Sequence, residues 1–446
     1  MMSDKLVVGL DIGTTKICAI IGRKNEFGKL EILGMGNAVS DGVIRGEVTN
    51  IDKTVSSINK AISDAEQEAN IRIGKVIVGI AGQHIRSIKI QDSILIDNPE
   101  GEVSINEVKK LENDIYRTVT PPGTDILHVM PQEYSVDDLY GIKEPVGHVG
   151  SRLKGEFHVI TAKTRAIHNI NKCVKRSGNL PEGLEIQSMM LEPIASSLSV
   201  LTEEDKEAGV VLVDIGGGTT DVAIFYEGVI RHTAVIPIGG KRISEDIKEG
   251  LNILPNQAEK LKVKYGCAIP DETKENVVVS IEGLRNRAPK EISVKSLAQV
   301  IEARLEDIVD LVNKEIEDSG FSDRLGAGLI LTGGGAQLSY IKQFFEYHTG
   351  LDVQIGYPNE HLGKTKYEEV KSPKYATAVG LVLAGFMNVD NRENKYSEII
   401  KADDKGVAKI PTLQSKKRGL SFFTHLNETI KSSILGFEEN IDNTKY

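Results

Sequence analysis

Cysteine is scarce. The 446-residue chain has three, Cys18, Cys173 and Cys267, unevenly spaced, with no CxxC pair and no histidine cluster beside them. That argues against a disulfide framework and a zinc site, and it suits a reducing compartment. Positive charge is in deficit too: 54 Lys and Arg stand against 64 Asp and Glu, a formal charge of -10. A nucleic-acid partner, which wants a basic face, is therefore not expected. Charged or Gly-rich breaks interrupt every apolar run before the ~20 residues that a bilayer requires. The start, MMSDKLVVGLDIG, lacks the basic region, apolar core and small-residue cleavage site of a secretory leader, so neither a secreted nor a membrane-spanning protein is expected. The two familiar glycine-rich phosphate signatures that lead from a strand into a helix, GxxxxGK[ST] and GxGxxG, are also missing.

What is there is a duplication. The length predicts two or three domains, and a 40% hydrophobic content supports packed cores. LVVGLDIGTTKI at 6 to 17 and VVLVDIGGGTTDV at 210 to 222 are near copies. In each, a β-branched apolar run of the kind buried on both faces reaches an Asp, then Gly and Thr, then a second β-rich stretch, which reads as strand, tight turn, strand. Glycine-rich turns present backbone N–H groups to an anion, but a carboxylate beside a phosphate repels it unless a divalent cation lies between. Two such turns, one from each half, are expected to clamp a magnesium–nucleotide phosphate tail. The bland alternative is a pair of ordinary hairpins whose Asp residues cap their own backbone.

A third cluster, Gly333, Gly334 and Gly335, follows a predicted strand over Leu329 to Thr332 and precedes an amphipathic helix carrying Leu338, Ile341, Phe344 and Phe345. Its flat backbone suits a nucleoside. A glycine pair, Gly239 and Gly240, stands in PIGGKRISEDI, and downstream Glu259 and Lys262 lie three apart on one helical face. A surface ion pair is the alternative for the latter two.

In this order, DIGTTK, DIGGGTTD, TGGGAQL and LEPIASSLSVL resemble the actin-like ATPase superfamily. Within it, GQHIRS, GIKEPVGHVGSRLKGEFHVITA, GGKRISEDI and AEKLKVKYGCAIP resemble segments of the bacterial cell-division family FtsA, from about residue 5 to residue 387. The resemblance implies an α/β fold of the duplicated actin/Hsp70 type, with two lobes around a nucleotide cleft that binds ATP and Mg2+. It implies a first lobe of 1–83, 164–208 and 365–387, with a polymerisation insert at 84–163. A second lobe of 209–244 and 319–364 would carry a partner-binding insert at 245–318. Carried over residue by residue, Asp11 and Asp214 become the Mg2+-side carboxylates, acting through water. Gly13, Thr14, Thr15 and Lys16 hold phosphates from one side, and Gly216, Gly217, Gly218 and Thr219 from the other. Gly239, Gly240, Lys241, Glu259 and Lys262 border the nucleoside opposite Gly333 to Gly335, and Glu192 joins Asp11 as the acid that orients water or metal. ATP binding is expected to be the main task and Mg2+-dependent hydrolysis secondary. A small-molecule kinase of the same superfamily is the alternative.

The same resemblance implies self-assembly into a filament, docking of the C-terminal peptide of the tubulin-like protein FtsZ, and recruitment of later division proteins. Arg285, Arg287, Lys290 and Arg304 are basic residues placed to meet such a peptide's carboxylates, although Arg304 has Asp307 as a neighbour on its own face. Residues 388–418 read as a polar disordered linker. Beyond it, Phe423, Leu426, Ile430, Ile434 and Phe437 form one helical stripe, with Phe422 at its start, in an amphipathic helix at 419–437. That helix resembles the family's membrane-targeting segment, so the expected location is the cytoplasmic side of the inner membrane at the division septum. Docking of the helix on protein is the alternative.

Overall fold

The computed structural model describes residues 5–274, 276–282 and 288–387. The predicted site residues Arg285 and Arg287, and Phe422, Phe423, Leu426, Ile430, Ile434 and Phe437 of the tail stripe, lie outside the described residues, as does the predicted linker. Backbone packing separates a unit made of Met1–Arg86 with Lys163–Val382 from a second built on Ser87–Ala162.

The first unit contains the same sheet twice. In one copy, Val7–Ile12 pairs antiparallel with Lys16–Lys24, which pairs antiparallel with Leu30–Val39. On the other side of Val7–Ile12 come Lys75–Ile80 and then Glu185–Leu191, both parallel. In the other copy, Val210–Ile215, Thr220–Tyr226 and Val229–Ile236 form the antiparallel half, and Leu329–Thr332 and Val353–Ile355 the parallel half. The founding strand is buried at all six positions in both copies, as expected of strands covered on both faces.

Helices supply those covers. In the first sheet, Ile51–Ala69 is entered through Asn50, whose side chain accepts from the Lys53 N–H at 3.1 Å. It buries Ile58, Ala61, Ile62 and Ala65 on one stripe. In the second, the long helix Val294–Ser319 buries Leu297, Ile301, Leu305, Ile308, Val312 and Ile316 in one core with Val213, Ile215, Val222 and Ile224 of the sheet. The region expected as a second-lobe insert thus shares the hydrophobic core of the sheet it follows.

The second unit is a four-stranded sheet in the order Arg86–Leu95, Arg152–Lys163, Thr124–Val136, Leu139–Ile142. The helix Ile105–Ile115 begins in a capping box between Ser104 and Glu107. Its Val108, Leu111 and Ile115 pack with Val129, Leu153, Phe157 and Val159 of the sheet.

Candidate nucleotide cleft

Asp11 and Asp214 occupy the same place in the two sheets, next to last in the founding strand. Each faces the residue seven positions later across its hairpin: Asp11 pairs with Cys18, and Asp214 with Asp221. Four residues therefore make each turn, Gly13-Thr14-Thr15-Lys16 and Gly216-Gly217-Gly218-Thr219. This corrects the letter-by-letter match. The Thr-Thr of one copy is not structurally equivalent to the Thr-Thr of the other; Thr14 and Thr15 correspond to Gly217 and Gly218.

The consequence is steric. The two turns meet, and a methyl group on Gly217 would overlap the Thr15 side chain while one on Gly218 would overlap Thr14. The glycines of one turn leave room for the threonines of the other. Thr14 Oγ1 also accepts from the Gly46 N–H at 3.0 Å. The second turn is fastened from behind, because the N–H groups of Gly240 and Lys241 donate to the carbonyls of Gly216 and Gly217 at 2.9 and 2.7 Å.

The carboxylates gather beside these turns. Asp11 and Asp214 are each 7% exposed and Asp221 is 3% exposed. Burial pushes Asp11 up to about 6, with Lys16 opposing the rise and Asp214 adding to it. Burial likewise raises Asp214, although Ser196 Oγ at 2.7 Å and Thr377 Oγ1 at 3.2 Å donate to its Oδ2 and restrain the shift. Asp221 is raised well above the usual range by burial and by Asp214. Thr219 Oγ1 donates to its Oδ2 at 3.2 Å, while its buried Oδ1 has no hydrogen-bond partner. Glu192 opens the helix Glu192–Val200 directly after the strand Glu185–Leu191, and a Cβ on Gly79 would meet its carboxylate at 3.3 Å. Burial first, then Asp11, Asp221 and Asp214, hold its carboxyl well above the usual range.

Four buried acids whose proton affinity is raised, together with an orphaned buried oxygen, make a donor set whose chemistry fits a divalent cation. Among the described residues no three side chains are arranged to ligate a metal together. Asp221 is the site residue that the sequence reading passed over. The signal was available: it follows Asp214 by the same seven residues that separate Cys18 from Asp11, so a hairpin register drawn from the Asp would have placed it across the strand pair.

The residues expected to border a nucleoside fall into two groups. Gly333 has φ +84 and abuts the Asp214 carboxylate, and Gly335 abuts Ile215. Both are demanded by packing on the second hairpin, which leaves Gly334 as the glycine facing open space. Glu259 and Lys262 do not form a merely superficial pair. Lys262, with a side chain 12% exposed, donates to Glu259 at 2.8 Å, Ser244 Oγ at 2.9 Å and the Gly240 carbonyl at 2.7 Å, and Ser244 bonds Glu259 in turn. The network ties the helix Pro255–Tyr265 to the start of Gly240–Gly250.

Arg304 is not brought to this cleft. It lines a separate groove of about 670 Å³ with Asp246, Leu251, Gln299, Val300 and Asp307. There its guanidinium donates to Asp246 at 2.5 Å and to Asp307. Lys290 Nζ donates to the carbonyl of Leu251, which lines the same groove, at 2.5 Å.

Comparison with known proteins agrees with this architecture. A family profile described as "Cell division protein FtsA" matches residues 211–380, and one described as "SHS2 domain inserted in FTSA" matches residues 82–161. The cell division protein FtsA of Pseudomonas aeruginosa is 40% identical over 86% of this chain and 90% of its own length. Among solved structures, a PilM–PilN type IV pilus biogenesis complex superimposes with a TM-score of 0.62 at 16% identity, over 86% of this chain and 99% of that one. MreB5 of Spiroplasma citri bound to ADP superimposes with a TM-score of 0.51 at 16% identity, over 87% and 99%. These two establish the actin-like fold.

Proposed function

Because the chain belongs to the FtsA family of cell-division proteins, we propose that it is an actin-like ATP-binding protein that polymerises on the cytoplasmic face of the membrane at the division septum. There it tethers the FtsZ ring and recruits later division proteins. The observation that carries the nucleotide part is the convergence of Asp11, Asp214, Asp221 and Glu192 beside two glycine- and threonine-rich turns. The small-molecule kinase reading is not favoured, since the curated relative matched over most of its length is a division protein.

In this reading Lys16 and the N–H groups of the two turns receive the phosphates, and the second lobe's Glu259, Lys262 and Gly334 border the nucleoside. Asp11, Asp214 and Asp221 would hold a Mg2+ ion on the phosphate side, where it would supply neutralisation of phosphate charge. Glu192 orients the attacking water, and hydrolysis is secondary to binding. Since the turns touch at Thr14, Thr15, Gly217 and Gly218, entry of a triphosphate tail between them requires the turns to part. Nucleotide state is thereby linked to the relation of the two lobes, which is what a polymer contact would read.

The groove beside Arg304 is where we place the FtsZ peptide; Arg304 would exchange an aspartate for a peptide carboxylate. Membrane attachment is assigned to the stripe from Phe422 to Phe437. No helix among the described residues is long and apolar enough to cross a membrane, and a lone amphipathic tail binds only reversibly. Several tails on one filament bind by effective concentration. The test is liposome co-sedimentation of the full chain and of a version ending at residue 415, each with and without Mg-ATP. The full chain is expected in the pellet, more so with Mg-ATP, and the shortened chain in the supernatant. Equal pelleting of both would remove the tail from the function.

A further inference from the structure

One short stretch far from the recognised turns touches all three of them. Lys16 of the first turn donates to the Lys374 carbonyl at 2.8 Å, and its ammonium lies 3.7 Å from the centre of the Tyr375 ring. Asp214, at the second turn, receives the Thr377 hydroxyl at 3.2 Å. At the third turn, the Gly333 N–H donates to the Pro373 carbonyl at 3.3 Å, and the Thr332 hydroxyl, which donates to the Gly356 carbonyl at 3.1 Å, lies 3.4 Å from it. The stretch is itself fixed: Tyr375 is 2% exposed with its hydroxyl accepting from Asn37 at 3.1 Å, and the Ala376 carbonyl accepts from Ser199 at 2.8 Å.

Resting on the reading of the cleft as an ATP site, we propose that Pro373–Thr377 sets the three turns in register, with Tyr375 positioning Lys16 for the phosphate tail and Thr377 positioning Asp214. An ammonium has three donors. One is committed to the Lys374 carbonyl and the ring confines the head group from one side, so the remaining donor capacity is aimed rather than free to rotate. A lysine otherwise loses most of its rotamer freedom on meeting a ligand, and a group ordered beforehand binds more tightly because that cost is already met. Tyr375 and Thr377 touch no nucleotide in this scheme; they act through Lys16 and Asp214.

The test is a double-mutant cycle on the full chain, read as Mg-ATP affinity for wild type, Tyr375→Leu, Lys16→Ala and the pair. Tyr375→Leu is expected to weaken ATP binding by roughly three- to tenfold, the range of a partly desolvated cation–π contact. The same change in the Lys16→Ala background is expected to have no effect, and Tyr375→Phe, which keeps the ring, restores affinity. Adenosine, lacking phosphates, is expected to bind all four proteins alike. A loss that is the same with and without Lys16, or equally large for adenosine, overturns the proposal and makes Tyr375 a packing residue. Should Tyr375→Leu fail to fold, Thr377→Val against Thr377→Ser reads the other arm: only the valine is expected to raise the Mg2+ concentration needed for ATP binding, and equal behaviour of the two overturns it. Absence of ATP binding by wild type defeats the cleft reading itself, a result distinct from a cycle without coupling.

Discussion

The acid cluster predicts an unusual pH dependence. Asp11 moves from 3.8 in an unconstrained chain to about 6 in the fold. Below pH 4 folded and unfolded chains both hold its proton, and the group takes nothing from stability. Between 4 and 6 the unfolded chain ionises while the folded one keeps its proton, so stability falls as pH rises, and the loss is complete above the folded value. That difference corresponds to a loss on the order of 3 kcal/mol from Asp11 alone, a large share of a domain's usual ~5–15 kcal/mol. Asp214, Asp221 and Glu192 shift in the same direction and add to it.

Asp11→Asn keeps the shape and removes the charge. Without nucleotide or Mg2+, the variant is expected to equal wild type near pH 4 and to exceed its stability at pH 8 by up to the same order, 3 kcal/mol, with relief of Glu192 contributing. Mg-ATP should then reverse the ranking at pH 8, because a cation can use the carboxylate that the asparagine lacks. Urea unfolding of the full chain across pH 4 to 8, with and without Mg-ATP, measures both effects. Parallel curves for the two proteins over that range would show that Asp11 is not a buried, charge-crowded group, and the argument for a cation at these acids would fall with it.

Other outcomes follow from single contacts. Gly380 lies where the helical stretch 376–387 crosses Glu192–Val200, and a methyl group there overlaps the Ala195 carbonyl; Gly380→Ala is expected to cost roughly 1–3 kcal/mol in denaturant unfolding, and an unchanged midpoint would mean that the crossing is loose. Lys262→Met removes the ammonium that Glu259 and the Gly240 carbonyl share, leaving Ser244 as the donor near both, and should lower ATP and adenosine affinity alike, with about 1–3 kcal/mol lost in stability; a loss confined to ATP would move Lys262 to the phosphate side. Arg304→Ala leaves Asp246 and Asp307 without their shared cation, so its destabilisation should shrink as salt rises, and a salt-independent loss would point to packing instead. Arg304→Glu is expected to abolish binding of an FtsZ C-terminal peptide, and unchanged affinity would remove Arg304 from that surface.

The parts of the cleft that were legible from the sequence are those that the chain encodes locally. A six-residue apolar strand reaching an Asp, followed by a glycine-containing turn and another strand, is a short-range pattern, and it placed Asp11, Asp214 and both turns. Glu192 was placed by the superfamily resemblance of its segment, LEPIASSLSVL, and the structure seats it by a local event, a strand passing directly into a helix. What was misread is instructive, because identity of letters stood in for geometry. A hairpin counts residues from its last paired position, so four-residue turns match Thr14-Thr15 to Gly217-Gly218, whereas matching Thr to Thr slides the second strand by two and turns Asp221 into the mere beginning of a strand. What was not legible at all is the grip of Pro373–Thr377. Lys374 lies 358 positions from Lys16 and Thr377 lies 163 from Asp214, and neither periodicity nor composition marks a proline-lysine-tyrosine stretch as anything but a helix entrance. Only closure of the duplicated sheets on one another gives that entrance its three neighbours. The turns proposed to receive phosphate can therefore be read from the chain, while the contact that orders them relative to each other is a property of the folded whole.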